Sequence, residues 1–342
     1  METDAPLLET VGLAKHFRLG GLLSRRFLHA VDDVDLAIRP GEIVALVGES
    51  GSGKSTVARL IAGVYTPTRG VIKFHGRPID ALRSRSEKLA YRGKVPMVFQ
   101  DPYGSLSPVY RVAHGVLRAL KLHRPTLSAS ARGQVAVELF ESVGLAPGGD
   151  FLFKYPYELS GGQRQRIGFA QALACNPELI LADEPVSMLD VSVRIGVLNL
   201  MATLRRELRL SFLYITHDIA SARYVADRLV VMYAGQVAET GPVEDVLAHP
   251  KHPYTQLLLS AVPDPRAPVS LPATSSVAEP PRVVDPGEGC RFRQRCPFAI
   301  EECAVVTPRL RLLRPAHEAA CHVATSDETS VIEASGRAAT SR

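Results

Sequence analysis

Three short runs in this chain are apolar almost throughout instead of at alternate positions: residues 42–48 (EIVALVG), 178–183 (ELILAD) and 210–216 (LSFLYIT). A strand covered on one face alternates apolar and polar residues, whereas a strand covered on both does not. Each run therefore predicts a fully buried strand. Residues 7–17 (LLETVGLAKHF) alternate loosely and predict a further strand, as do residues 32–38 (DDVDLAI), closed by the turn RPGE. Elsewhere the period is helical. Residues 54–63 (KSTVARLIAG) have helical spacing, with Gly63 placed as a stop. Val135, Leu139 and Val143 stand four apart and predict a helix over 132–143 that ends at Gly144. Buried strands alternating with helices predict an α/β fold around a parallel sheet.

This pattern stops after Val262. Residues 263–289 are rich in Pro and Ser and predict a linker or extended wrap. Residues 290–325 hold a cysteine cluster, and residues 326–342 have the composition of a disordered tail. Residues 18–26 (RLGGLLSRR) predict a basic loop.

Composition adds little to this. With 342 residues, 46% hydrophobic and 22% charged, the chain matches one large globular domain with additions. The net charge of +5 suits an anionic partner but does not choose among nucleotide, nucleic acid and membrane surface, and a solvated basic surface explains it equally well. No apolar run reaches the ~18 residues of a membrane-spanning helix. The acidic start, METDAPLLET, lacks the apolar core of a signal peptide. A cytosolic setting follows as an expectation. Thiols stay reduced there, so clustered cysteines point to a metal or redox site before disulfides.

The chemistry enters with GESGSGKST, residues 48–56, between a buried strand and a helix. In that context Gly48, Ser50, Gly51, Gly53 and Thr56 belong to a loop whose backbone N–H groups curl around phosphate oxygens. Lys54 is placed to reach the β- and γ-phosphates, and the Ser55 hydroxyl to ligate Mg²⁺. At the end of LILADE, Asp183 is placed to hold Mg²⁺ and Glu184 to act as the base on an attacking water. LSGGQ reads as a helix start. Ser160 is the cap and Gln163 its capping-box partner, with Gly161 and Gly162 between them permitting close approach of a phosphate.

With these three motifs in order, the chain resembles the ATP-binding subunits of ABC transporters. The resemblance carries further residues with it. Gln100 in MVFQDP matches the Q-loop and is implied as a catalytic residue and a Mg²⁺ contact. In SMLD, Ser187, Leu189 and Asp190 match the D-loop, with Met188 where Ala is usual. His217 in YITHD matches the switch histidine. Phe17 in AKHF matches the aromatic that stacks on adenine, although a strand phenylalanine is also read as plain core. The family implies an ABC-type P-loop domain over 1–262 with an inserted helical subdomain at about 102–170. Two such domains sandwich two ATP molecules, so that Ser160 and Gly162 would act on the partner's nucleotide.

VFQDPYGSLSP, KHPYTQLLLSAVP and the cysteine segment resemble the dipeptide/oligopeptide (peptide/nickel) permease ATP-binding subunits. The insertion between Phe17 and Ala30 and the DPY variant are similar to the F-type member of the usual pair. Ser107 replaces the usual Asn before Pro. The implied function is an ATPase at the cytoplasmic face of the membrane, peripheral to it, that powers import of peptides or a related solute. The implied partners are a second ATPase subunit (identical or paralogous), two membrane permease subunits, whose coupling helix would meet the segment after Gln100, and an external solute-binding protein. Nucleic acid is not among them. A soluble ABC protein acting on nucleic acid or ribosomes, and an exporter ATPase, are the competing readings. The first usually has two fused cassettes or a coiled coil, and the second is often fused to membrane spans.

The thiols are spaced Cys290-x5-Cys296-x6-Cys303-x17-Cys321, which is neither a zinc ribbon nor a ferredoxin run. By residue type four cysteines could hold zinc or an iron–sulfur centre, or remain as buried thiols. Their match to C-x-F-x-x-R-C-P-x-A-x-x-x-C and A-C-H in the permease tail implies a [4Fe–4S] cluster. Cys175, apart from the others, reads as a small core residue.

Overall fold

The structure is a computed structural model and describes residues 5–20, 25–101, 104, 106–261 and 283–326. The expectations for 263–282, for 21–24 of the basic loop, for Pro102, Tyr103 and Ser105, and for 327–342 lie outside the described residues.

In chain order the strands are β1 (Leu8–Leu19), β2 (Arg26–Ile38), β3 (Ile43–Val47), β4 (Arg69–Phe74), β5 (Arg77–Pro78), β6 (Met97–Val98), β7 (Leu179–Asp183), β8 (Ser211–Thr216), β9 (Arg228–Tyr233), β10 (Gln236–Pro242), β11 (Arg311–Arg314) and β12 (His317–Ala319). The helices are α1 (Lys54–Ile61), α2 (Arg85–Lys94), α3 (Ala113–His123), α4 (Ala129–Ser142), α5 (Gly148–Phe151), α6 (Gly161–Ala174), α7 (Val191–Leu208), α8 (Ile219–Val225), α9 (Val243–Ala248), α10 (Pro253–Ser260) and α11 (Glu302–Val305). The helices expected over 54–63 and 132–143 are α1 and α4, each ending shortly before the glycine expected to stop it.

The central sheet runs β11-β12-β10-β9-β3-β8-β7-β6. Its middle, β9 to β6, is parallel. The continuous apolar runs are explained by what covers each face. Ile43, Ala45 and Val47 of β3 face one core, together with residues of α3, α4, α6 and α7. Val44 and Leu46 face a second core, shared with α1 and the antiparallel sheet β2-β1-β4-β5. β7 divides the same way, Ile180 and Ala182 to one core and Leu179 and Leu181 to the other.

Three features differ from the sequence reading. β2 begins at Arg26, six residues before the expected run, because its first half is only partly covered and shows no clear alternation. Cys175 lies outside both core clusters. It caps the end of α6, half-buried, and lines a groove with Met97, Phe99 and Gln171. The C-terminal segment extends the central sheet, with β12 pairing antiparallel with β10 and β11 with β12. Its Phe292 is buried in the first core.

Candidate nucleotide site

Because β3, β7 and β8 are parallel neighbours, the loops leaving their C-terminal ends lie side by side. They line a cleft of about 870 Å³ with Phe17, Ser50, Gly51, Gly53, Lys54, Ser55, Thr56, Gln100, Glu184 and His217. Lys54 is buried, and its ammonium donates to the carbonyls of Gly48 (2.7 Å) and Glu49 (2.9 Å). Burial lowers its pKa, opposed by the charges of Glu184, Asp183 and Glu49. Gly53 starts α1 at a φ of +104°, where an added Cβ would stand 2.3 Å from the Ala30 carbonyl oxygen. The backbone of β2 thus presses directly on the loop.

The Ser55 hydroxyl donates to Asp183 Oδ1 at 3.0 Å. Burial raises the pKa of this carboxyl, Ser55 opposes the shift, and neighbouring Glu184 adds to it. A hydroxyl and a buried carboxylate are oxygen donors of the kind Mg²⁺ takes. Glu184 has a φ of +47°, unusual for a side-chain-bearing residue. Its carboxylate accepts from Gln100 Nε2 at 3.0 Å and lies 3.3 Å from His217 Nδ1. Three residues distant in sequence thus meet at one oxygen, Oε2, in the cleft.

Phe17 is half-buried, lines the cleft and belongs to neither core cluster, which removes the plain-core reading. Its ring meets Tyr65 edge-on at 5.4 Å, and the Lys15 ammonium lies 5.3 Å from its centroid. The reciprocal cap expected in LSGGQ is present: Gln163 N–H donates to Ser160 Oγ (3.2 Å), and Ser160 N–H to Gln163 Oε1 (3.0 Å). Among the described residues, Ser160–Gln163 and Asp190 do not line the cleft, and Asp190 and Met188 are exposed. Gly48 and Asp183 are not among the lining residues, although Asp183 accepts from Ser55, which is. The sequence reading missed Leu19, Leu28, His29, Ala30, Ala234, Val283 and Val284 as lining residues. The only available signal was the β-branched pair VV before the turn-forming DPG.

Near the base of the cleft, Asp32 gathers His16 (3.2 Å), His29 (3.1 Å), Arg69 (3.0 Å) and Arg291 (2.6 Å). Burial opposes ionisation, but His29, Arg291 and His16 together hold its carboxyl down at about 2. The two histidines and Asp32 have metal-ligand spacing. Two guanidiniums on the same carboxylate oppose a divalent cation, so the group is an ionic hub.

Cys303 and Cys321 are buried, and Cys290 and Cys296 half-buried. Nearby backbone amides favour the charged form at three of the sulfurs: those of Phe292 and Arg293 at Cys290, of Phe298 at Cys296, and of Val323 and Ala324 at Cys321. Burial raises the Cys290 and Cys296 thiol pKa values and takes Cys321 up to about 11, so thiolates there call for a cationic centre. Among the described residues no three of the sulfurs lie within 4.8 Å of one another. Four cysteine sulfurs in one segment are the donor type a metal centre takes.

Residues 31–187 match the family model described as "ABC transporter", and residues 238–303 that described as "Oligopeptide/dipeptide transporter, C-terminal region". The chain is 44% identical to the "Putative oligopeptide transport ATP-binding protein YkfD" of Bacillus subtilis (strain 168), over 95% of this chain and 97% of the relative. It is 41% identical to "Oligopeptide transport ATP-binding protein AppF" of the same organism, over 93% and 97%. Among solved structures it resembles a dimeric post-hydrolysis state of the ATP-binding cassette MJ0796 bound to ADP and Pi. There the TM-score is 0.61 at 30% identity, covering 69% of this chain and 98% of that one. Its nucleotide motifs, its fold and its C-terminal region agree: the chain belongs to the ATP-binding subunits of ABC transporters, in the oligopeptide/dipeptide branch.

Proposed function

We propose that this chain is the ATP-hydrolysing subunit of an importer for dipeptides, oligopeptides or a related solute. The observation that carries the reading is the convergence of Gln100 and His217 on the Glu184 carboxylate, beside Lys54 and the Ser55–Asp183 pair. Lys54 turns from its loop carbonyls to the β- and γ-phosphates, and Phe17 stacks on the base. Ser55 and Asp183, with Gln100, hold Mg²⁺, which supplies charge neutralisation on the phosphates when bound. Glu184 polarises the attacking water. Gln100 and His217 orient that carboxylate and sense the γ-phosphate. Ser160, Gly161, Gly162, Gln163 and Asp190 face the nucleotide of a second ATPase subunit. This is supported by the cleft's being lined without them and by the dimeric form of the similar cassette. The expected outcome for Glu184→Gln is retained ATP binding with hydrolysis slowed by ~100-fold or more. ATPase and ATP-retention assays check it, and near-normal turnover would remove Glu184 from this role.

The oligopeptide-transport relatives support the peptide class and, with it, membrane permeases and a solute-binding protein as partners. No helix among the described residues is long and apolar enough to cross a membrane. As the ATPase of such an importer, the chain works peripherally at the cytoplasmic face, a reading supported by the transporter family. The exposed Phe99, Val109 and Tyr110, flanking the segment after Gln100, supply apolar surface for a permease helix. Cys290, Cys296, Cys303 and Cys321 hold a [4Fe–4S] cluster, a reading supported by four thiols gathered in one short segment. Anaerobic purification should give about four irons and four sulfides per chain. One zinc without colour would replace the cluster by a structural zinc site.

A further inference from the structure

The pattern C-x-F-x-x-R-C-P holds two residues, Phe292 and Arg295, that ligate nothing, and both meet the nucleotide side of the molecule. Arg295 forms a two-point pair with Glu49, at 2.8 and 2.9 Å. Glu49 is the second residue of the phosphate loop, and its own carbonyl accepts from Lys54. Glu49 N–H donates to the Tyr254 hydroxyl at 2.9 Å. Phe292 packs against Tyr254 and Tyr233, at 5.5 and 5.2 Å between ring centroids. The Arg295 guanidinium lies 5.7 Å from the centroid of Tyr233. Four residues upstream, Arg291 reaches Asp32 and the Ala234 carbonyl.

Farther upstream, residues 283–285 add to the outer edge of β2. His29 N–H donates to the Val283 carbonyl (2.8 Å), Asp285 N–H to the Phe27 carbonyl (2.9 Å), and Leu28 bridges Val284 antiparallel. Phe27 N–H donates in return to Asp285 Oδ1 at 2.9 Å. This pairing turns Val283 and Val284 into walls of the same cleft that Phe17 and Lys54 line.

We propose that the C-terminal segment is a working part of the nucleotide site: Val283 and Val284 close its base end, and Arg295 fixes the start of the phosphate loop through Glu49. Nucleotide binding and docking of the cysteine segment then stabilise each other, because a coupling between two events acts equally in both directions. The inference rests on the nucleotide reading above. Arg295 is a positioning residue. It touches no phosphate, but a two-point ion pair shielded from solvent, with side chains 15% and 24% exposed, removes freedom from a loop whose N–H groups must converge on the phosphates.

The test uses the full chain with MgATP. Fluorescent-ATP titration should show that Arg295→Gln and Glu49→Gln each raise Kd about fivefold or more. The double variant should be no worse than either single one, and Arg295→Lys should recover part of the loss. Hydrogen exchange at the His29 and Asp285 amides should slow on adding MgATP, and slow less in Arg295→Gln. Melting without nucleotide identifies any variant that fails to fold; Glu49→Gln then carries the test, since it leaves the C-terminal residues intact. Affinities within twofold of wild type, additive losses in the double variant, or exchange indifferent to MgATP would each overturn the proposal. A wild-type chain that binds no MgATP would instead overturn the nucleotide reading itself, and this inference with it.

Discussion

Gly53 and Gly51 sit two residues apart in the phosphate loop, at φ of +104° and +77°. At Gly51 an added methyl would meet nothing within 4 Å, whereas at Gly53 it would stand 2.3 Å from a backbone oxygen of β2. Gly51→Ala should therefore cost about 1–2 kcal/mol of backbone strain alone. Gly53→Ala should cost more than that and weaken nucleotide binding as well, since a backbone neighbour cannot swing aside. Urea melts of both variants beside ATP titration check the order. Equal losses would mean that strain, and not contact with Ala30, sets the requirement. The spacing G-x-x-x-x-G-K-[ST] marked Gly53 in the sequence, while Gly51 falls on one of its free positions. Which of them the fold presses upon was not legible there, because Ala30 lies 23 residues away.

One buried carboxylate ties α10 and β12 to β10. Glu239 is fully buried and accepts from the N–H groups of Lys251 (2.7 Å) and His252 (2.8 Å) and lies 2.7 Å from His317 Nε2. His252 caps α10, its Nδ1 accepting from Tyr254 N–H at 3.0 Å, which requires an unprotonated nitrogen. Burial pushes its pKa down to about 4, with Glu239 opposing. The unfolded imidazole gains its proton from about pH 6.5 downward while the folded one resists. The stabilising contribution is therefore complete above about pH 6.5 and falls away as pH drops toward 4, by up to about 3 kcal/mol. Denaturant melts across that range should show this slope, and His252→Gln should flatten it. Asp32, held at about 2, acts in a separate and more acidic window below its unfolded value of about 4.

At the scale of the whole molecule, the phosphate loop and LSGGQ of one chain do not share a cleft. Ser160 is exposed and its side chain is committed to capping α6. Ser160→Arg should consequently leave ATP affinity of the isolated subunit within about twofold, since it touches no part of that chain's own cleft. It should abolish most hydrolysis in the assembled transporter, where the partner's nucleotide would meet the added charge and bulk. Equilibrium binding and transporter ATPase assays separate the two effects. A matching loss of affinity in the monomer would place LSGGQ in cis.

The sequence by itself determined the buried strands β3, β7 and β8, the helices α1 and α4, the phosphate loop, the acidic pair at Asp183 and Glu184, and the cap at Ser160. Each is encoded locally, in an apolar run, a helical period, or motif residues a few positions apart. Tertiary structure alone decided the rest. Gln100, Glu184 and His217 meet only because the strands before them are neighbours in one sheet. The left-handed turn at Glu184 depends on its N–H bonding to the Ile215 carbonyl. β11, β12 and residues 283–285 are too short to bury a face alone and take their form from the edges of β10 and β2. The pair Arg295–Glu49 spans 246 residues. Contacts of that separation have no local periodicity to betray them, and they bring the cysteine segment to the nucleotide cleft.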